Sequence, residues 1–317
     1  MILLTGSSGF VGNALSINLV KNAPIRISVR DKSKTELFTN IDIFEASLSP
    51  NQNWSGALSG ISVVIHCAAR VHVMNEMAVD PLSEFRRVNV EGTLRLAQQA
   101  AAAGVRRFIF ISSIKVNGEF TALGHPFTAD HIPGPSDPYG VSKYEAEIGL
   151  IALAKETGME VVIIRSPLVY GPGVKANFLS MMNWLWRGIP LPFGGVTKNR
   201  RSFVFIDNLV DMIITCIDHP TAANQIFLVS DNEDLSTAGL LHHMALALGR
   251  SARLIALPTA LITLGARLIG RPDISQRLCG SLQVDIRKTR DLLGWSPPVT
   301  IDEGLRRTAA SFLKMQP

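Results

Sequence analysis

The sequence predicts an α/β fold, a doubly wound parallel sheet flanked by helices, with a smaller, mainly C-terminal domain beside it. Three observations carry that expectation. The apolar run Ile2-Leu3-Leu4 leads directly into Thr5-Gly6-Ser7-Ser8-Gly9-Phe10-Val11-Gly12, which opens a segment with apolar residues at helical spacing through Leu15, Leu19 and Val20. Further short apolar runs follow, with helical patterns between them, as in successive strand-helix-strand units. At 317 residues and 47% hydrophobic content, the chain can bury a large core in one large or two intimately joined domains.

Taken in order, Ile2 to Leu4 reads as a buried parallel strand, followed by a turn with glycines at 6, 9 and 12. Glycines let a backbone turn tightly and approach a pyrophosphate, whose charge then sits at the amide-rich end of the helix. The spacing is Gly-x-x-Gly-x-x-Gly, where the usual dinucleotide fingerprint is Gly-x-Gly-x-x-Gly. A Rossmann-type sheet is the expectation.

The second strand, Ile25 to Val29, ends at Arg30-Asp31. An acidic residue at this strand end binds the ribose 2′-hydroxyl of NAD, and an Arg accommodates the 2′-phosphate of NADP. Arg30 occupies the end itself, which favours NADP(H), with NAD(H) held by Asp31 as the alternative. A third strand is expected near Ile41 to Ala46, then the turn-rich Ser47 to Ser59. The fourth, Val63 to Cys67, runs into Ala68-Ala69, small residues that let a backbone lie close to a ligand. His66 reads as a packed, hydrogen-bonded histidine.

A single helix is expected from about Pro81 to Ala103, then a strand Phe108 to Ile111 ending in Ser112-Ser113. Another strand, Val161 to Ile164, leads into Arg165-Ser166-Pro167. In a doubly wound sheet, ligands bind beyond the carboxyl ends of the strands. The glycine turn, Arg30, Ala68-Ala69, Ser112-Ser113 and Pro167 all fall at such ends, so five strand ends converge on one rim.

Tyr139-Gly-Val-Ser-Lys143 adds the chemistry. It places a phenol and an ammonium at i and i+4, on one helical face. A free phenol is a poor acid or base at neutral pH, and a nearby Lys cation favours the phenolate.

Composition removes several classes. The chain shows no low-complexity tract and no internal repeat. Cys67, Cys216 and Cys279 are widely spaced among apolar residues, which fits reduced thiols in a cytosolic protein better than disulfides or a metal site. No His, Cys and carboxylate cluster has metal spacing, so no metal is expected. Met1 leads straight into a strand-like run, with no signal-peptide pattern. The uncharged run Leu254 to Ala266 is short and interrupted by Pro258 and Gly265, and it reads as a core helix. Arg253, Arg267 and Arg271 around it leave an interfacial helix open, without stable membrane insertion. The net charge of +5 is spread along the chain, which points to a phosphorylated small molecule and away from nucleic acid.

These pieces together resemble the extended short-chain dehydrogenase/reductase (NAD-dependent epimerase/dehydratase) family, which acts on nucleotide-activated sugars. The matching residues are Thr5 to Gly12, Ile65 to Ala69, Asn89 to Thr93, Ser112-Ser113, Tyr139 with Lys143, Arg165 to Gly173, Arg201 to Asp207 and Leu293-Gly294-Trp295. The resemblance implies that Tyr139 is the acid/base, that Lys143 holds the nicotinamide ribose and lowers the Tyr pKa, and that Ser113 hydrogen-bonds the reacting oxygen. Cofactor contacts are then expected from Gly6, Ser8, Gly9, Phe10, Val11, Gly12, Arg30, Asp31, Ala68, Ala69, Lys143 and Pro167. Sugar-nucleotide contacts carry over onto Asn177, Phe178 and Arg201, with Arg271 and Arg277 as further candidates for which plain surface charge is the alternative. Residues 1–169, with a return at about 203–230, are expected to form the dinucleotide-binding domain, and 170–317 mainly the sugar-nucleotide domain. The resemblance also leaves a homodimer open.

The departures narrow the reaction. Sugar-nucleotide 4,6-dehydratases of the family carry an Asp-Glu pair after the Ser/Thr; here those positions are Ile114 and Lys115, so dehydration is not expected. Asn117 replaces a Tyr common in the following turn, and Ser47 stands where an acidic residue often meets the adenine. Two enzymatic readings remain. The favoured one is NADPH-dependent reduction of a UDP-4-keto-6-deoxy-N-acetylhexosamine, because Arg30 suits a consumed cofactor. The other is a UDP-glucose or UDP-N-acetylglucosamine 4-epimerase with retained NAD. A non-catalytic cofactor-sensing module is a third, disfavoured by the joint presence of Ser113, Tyr139 and Lys143.

Overall fold

The structure is a computed structural model that describes residues 1–32, 41–71, 80–268, 270 and 272–316. Its centre is a seven-stranded, all-parallel sheet in the order β3-β2-β1-β4-β5-β6-β9. The strands are β1 (Ile2–Thr5), β2 (Ile25–Val29), β3 (Asp42–Glu45), β4 (Val63–His66), β5 (Arg107–Ser113), β6 (Glu160–Ser166) and β9 (Ile226–Leu228). Helix α1 (Phe10–Leu19) links β1 to β2, and α2 (Ser55–Leu58) interrupts the turn-rich stretch before β4. A second sheet, β10-β8-β7, is built from β7 (Leu168–Tyr170), β8 (Arg201–Phe205) and β10 (Asp234–Leu235).

The middle of each central strand is a run of buried apolar residues because both faces of the sheet are covered, and the polar residues fall mainly toward the strand ends. Successive side chains leave to opposite sides. Ile2, Leu4, Val63, Ile65, Ile109, Val162 and Ile164 join one buried cluster, while Leu3, Val64, Phe108, Phe110, Val161 and Ile163 join the other. Strand order reverses between β1 and β4, and at such a switch point the outward-running loops leave a crevice for ligand.

The stretch expected as one helix from Pro81 to Ala103 is three pieces: α3 (Pro81–Phe85), a π-helical segment (Arg86–Gly92) and α4 (Thr93–Ala102). A wider π turn is a local insertion that redirects a side chain, often at functional sites. Here it carries Asn89, whose amide donates to Ser142 Oγ at 3.0 Å and to Arg70 O, and whose carbonyl accepts from Arg70 N. Helix α5 (Pro138–Thr157) packs beside α4 and ends at Gly158, whose φ of 75° closes the helix in the left-handed conformation.

Beyond β7 come α6 (Ala176–Trp186), α7 (Ile206–Asp218), α8 (Thr237–Ala247), α9 (Thr259–Leu268), α10 (Pro272–Cys279), α11 (Arg287–Leu293) and α12 (Ile301–Leu313). Helix α7 is anchored by Arg107, only 1% exposed. Its guanidinium pairs with Glu160 at 2.7 Å and donates to the carbonyls of Cys216, Ile217 and His219. Those are C-terminal helix carbonyls, which lack partners within the helix. Trp295 Nε1 donates to Asp211 at 2.7 Å and fixes the C-terminal segment on the same helix.

The core-helix expectation for Leu254 to Ala266 is corrected. In α9 Ala266 is buried, whereas Leu261, Leu264 and Leu268 are exposed. Uncharged composition was mistaken there for burial. Among the described residues no helix is long and apolar enough to cross a membrane.

Candidate active site

The glycine turn lies at the switch point. Gly6 has φ +74°, and a Cβ there would stand 2.6 Å from Ala68 N; one on Gly12 would stand 2.1 Å from Gly6 O. Only bare backbone therefore lets the β1 turn, the β4 end and α1 meet. Helix α1 starts at Gly9 without a side-chain cap, so its first amide groups offer donors to an anion. Ser8 and Gly9 are exposed, Phe10 and Val11 are half-buried and Ala68-Ala69 line the same edge, a cradle that fits a dinucleotide pyrophosphate. Gly12→Ala is expected to open the turn and weaken dinucleotide binding roughly 5- to 150-fold, a Cβ overlap of this kind typically costing ~1–3 kcal/mol. Dinucleotide content per purified chain is the measurement, and unchanged content would remove the turn from the binding site.

His66 is fully buried between Thr5 Oγ1, 2.6 Å from Nδ1, and Thr93 Oγ1, 2.9 Å from Nε2. Burial first, then the Lys143 ammonium, pushes it down to about 3, so the ring is neutral. This is the packed histidine expected. The neighbouring Cys67 thiol is pushed up to about 12 by burial, against the pull of Lys143. Cys67, Cys216 and Cys279 are all free, and no His, Cys and carboxylate group among the described residues could hold a metal.

Helix α5 brings Tyr139 and Lys143 to the ends of β4 and β5. Asp137 caps it by accepting from Gly140 N at 2.7 Å, and Pro138 occupies the first turn, where a missing N–H costs nothing. Tyr139 is half-buried and meets Phe85 edge-on, with ring centroids 6.1 Å apart. Lys143 is buried, its Nζ 3.8 Å from the centre of the Phe110 ring. Burial pushes Lys143 down to about 7, opposed by Glu147 and Cys67. Tyr139 is pushed up to about 12, by burial first and then by the Asp137 carboxylate. Both causes raise the phenol, the reverse of the direction suggested by the Tyr-Lys spacing.

At the end of β5, strand alternation separates the two serines. Ser112 points inward and donates to Glu147 at 2.5 Å, while Ser113 is half-buried and its Oγ accepts from Lys115 N at 3.3 Å. Sequence reasoning missed Glu147 altogether. It lies four residues after Lys143 on the same helical face, 1% exposed, and is held by Arg165 through Nε and by Nη2 at 2.6 Å. Arg165 also donates to Asn117 Oδ1 at 2.9 Å, which gives the departure at position 117 a structural role. The i, i+4, i+8 series Tyr139, Lys143, Glu147 was the available signal.

The remaining expected contacts scatter. Arg30 is exposed at the end of β2 and Asp31 is half-buried; Pro167 is buried beside β6. Asn177 is exposed at the start of α6. Phe178, the next expected contact, is 2% exposed and its ring stacks on Tyr170 at 5.4 Å. Arg201 is half-buried, donates to Gly280 O at 3.3 Å and has its pKa lowered by burial and by Arg277, which places two cations together. Arg200 instead caps its own loop through Thr197 O and Asn199 O. Arg271 lies outside the described residues.

Comparison with known proteins adds three findings. The NAD dependent epimerase/dehydratase family model matches residues 2–230. A Vibrio cholerae protein named UDP-glucose 4-epimerase is 51% identical over 317 residues, covering 99% of this chain and 95% of that one. Among solved structures, a short-chain dehydrogenase/reductase superfamily protein of Agrobacterium tumefaciens with bound NAD is 25% identical, with a TM-score of 0.78 and coverage of 99% and 97%. The fold is also shared by the UDP-glucose 4-epimerase of Thermotoga maritima solved with UDP-glucose, 22% identical, TM-score 0.78, covering 99% and 98%.

Proposed function

The chain belongs to the NAD dependent epimerase/dehydratase family, and from that premise we propose that it is a UDP-hexose 4-epimerase that retains NAD. The single observation that carries the choice is the 51% identity, along nearly all of both chains, to the Vibrio cholerae UDP-glucose 4-epimerase. The keto-reductase reading favoured by Arg30 gives way to it. Arg30 is exposed at its strand end, and a recycled cofactor needs only Asp31 for the ribose hydroxyl.

When bound, nicotinamide dinucleotide supplies the redox chemistry at C4, oxidation followed by reduction from the opposite face. The chain's own part is proton transfer and orientation. Tyr139 takes the C4 hydroxyl proton and later returns it, and Ser113 Oγ hydrogen-bonds the reacting oxygen. Lys143 favours the phenolate and holds the ribose. Arg201 and Arg277 offer fork-shaped donors to the diphosphate. In this reading residues 1–169, with the return at 203–230, hold the dinucleotide and 170–317 supply most of the sugar-nucleotide side.

The test is incubation of purified protein with UDP-glucose, and separately UDP-N-acetylglucosamine, without added cofactor, followed by separation of the C4 epimers. Denatured protein should release NAD. No epimer, together with stoichiometric NADPH consumption on a UDP-4-keto-6-deoxy-N-acetylhexosamine, would restore the reductase and give Arg30 the 2′-phosphate.

A further inference from the structure

We propose that Lys115 is a positioning residue of this site: its backbone holds the Ser113 hydroxyl and the start of the Tyr139 helix in one register, and its ammonium neutralises the Asp137 carboxylate two residues before the phenol. Three contacts place it there. Its backbone N–H donates to Ser113 Oγ at 3.3 Å. Its ammonium pairs with Asp137 Oδ2, the other oxygen of the carboxylate that caps α5. Its backbone lies against that helix at Gly140, where a Cβ would stand 2.9 Å from Lys115 O and 3.3 Å from Lys115 Cβ. The Ile114–Val116 turn and the helix N-terminus are therefore one packed unit, and only glycine at 140 allows the approach.

The electrostatic part follows from where the charges lie. Asp137 stands two residues before Tyr139 and opposes its ionisation. The other groups facing that region are Lys143 on the same helix, the Cys67 thiol at the β4 end, Glu119, 3.4 Å from Lys115 Nζ, and, from the π-helical side, Arg70 over the Phe85 ring and the Arg86 and Glu145 pair. Lys115 is the cation in direct contact with Asp137 among the described pairs. Its side chain is 32% exposed, so the pairing is partly screened, and the expected effect is correspondingly modest. A Lys at this position thus has a use that the acid of a dehydratase could not serve.

The inference rests on the epimerase reading only through the roles given to Tyr139 and Ser113. Its test uses NAD-loaded protein carrying 13C-labelled tyrosine; the chain has three tyrosines, so Tyr139→Phe identifies the resonance. In Lys115→Met the Tyr139 titration midpoint should rise by about half to one pH unit, and turnover at neutral pH should fall about three- to tenfold with it. Lys115→Arg should restore both. Asp137→Asn, which keeps a capping side chain, should lower the midpoint, and the double variant Lys115→Met/Asp137→Asn should return it toward wild type. A midpoint unmoved in Lys115→Met overturns the proposal, even if turnover falls, because a merely structural role would do that. An absence of epimerase turnover in the wild type would sink the proposed function, and the resonance would still decide Lys115.

Discussion

Replacing Tyr139 by Phe is expected to lower turnover by about 10²–10⁴-fold while leaving dinucleotide binding and the fold near normal. That range corresponds to roughly 3–5.5 kcal/mol of transition-state stabilisation, the contribution expected of one positioned proton-transfer group. The substitution removes only the hydroxyl. The ring keeps its edge-on contact with Phe85, and Asp137, Pro138 and Gly140 still start the helix. Because burial and Asp137 push the phenol up to about 12, Tyr139 is mostly protonated at neutral pH in the chain alone, and the proposed first step needs the phenolate. Turnover in the wild type should accordingly rise with pH until the reacting form dominates, and Tyr139→Phe should lose that limb with its activity. Epimer formation, dinucleotide content and UDP-sugar affinity measured on the same preparation separate the outcomes. Residual turnover within tenfold of wild type would transfer the acid/base role to another group.

The parts of this site that were legible in the sequence are those written in consecutive residues. Gly6, Gly9 and Gly12 have a spacing that only a backbone-on-backbone contact requires, and the structure supplies that contact at Ala68 and within the turn itself. The strands were legible because most contain a short run of buried apolar residues, and β2 matches the expected Ile25 to Val29 residue for residue. What stayed hidden depends on pairs distant in the chain. Lys115 meets Asp137 across 22 residues, and Glu147 meets Arg165 across 18. Neither pairing can be read from one member alone. The π-helical segment was hidden for another reason: Arg86 to Gly92 carries no proline and continues the helical pattern on both sides, so nothing in its residues marks the wider turn. The α9 leucines were hidden for a different reason, since an uncharged stretch need not be a buried one: Leu261 and Leu264 are exposed.

Glu147 sets the second large effect. Glu147→Ala is expected to destabilise the protein by about 3–5 kcal/mol, because Arg165, 2% exposed, would be left as a buried charge without its carboxylate. For a chain of this length that is a fall of roughly 4–8 °C in Tm. The loss would also unseat Ser112, which donates to Glu147 at 2.5 Å, and weaken the hold on Asn117, which in turn donates to Thr128 O at 3.1 Å. Replacing both members, as Glu147→Leu/Arg165→Met, should cost clearly less than the sum of the single changes, since no ion is then stranded in the core. Activity should not recover with stability. Glu147 opposes the loss of charge that burial imposes on Lys143, so without it the ammonium falls below about 7 and less of it is charged at neutral pH. A double variant that melts near the wild type yet turns over poorly, with activity lost as pH rises through a lower midpoint, would separate the two duties of this carboxylate. Single variants costing under about 1 kcal/mol would mean that water reaches the pair and that α5 is held to the sheet by its apolar face alone.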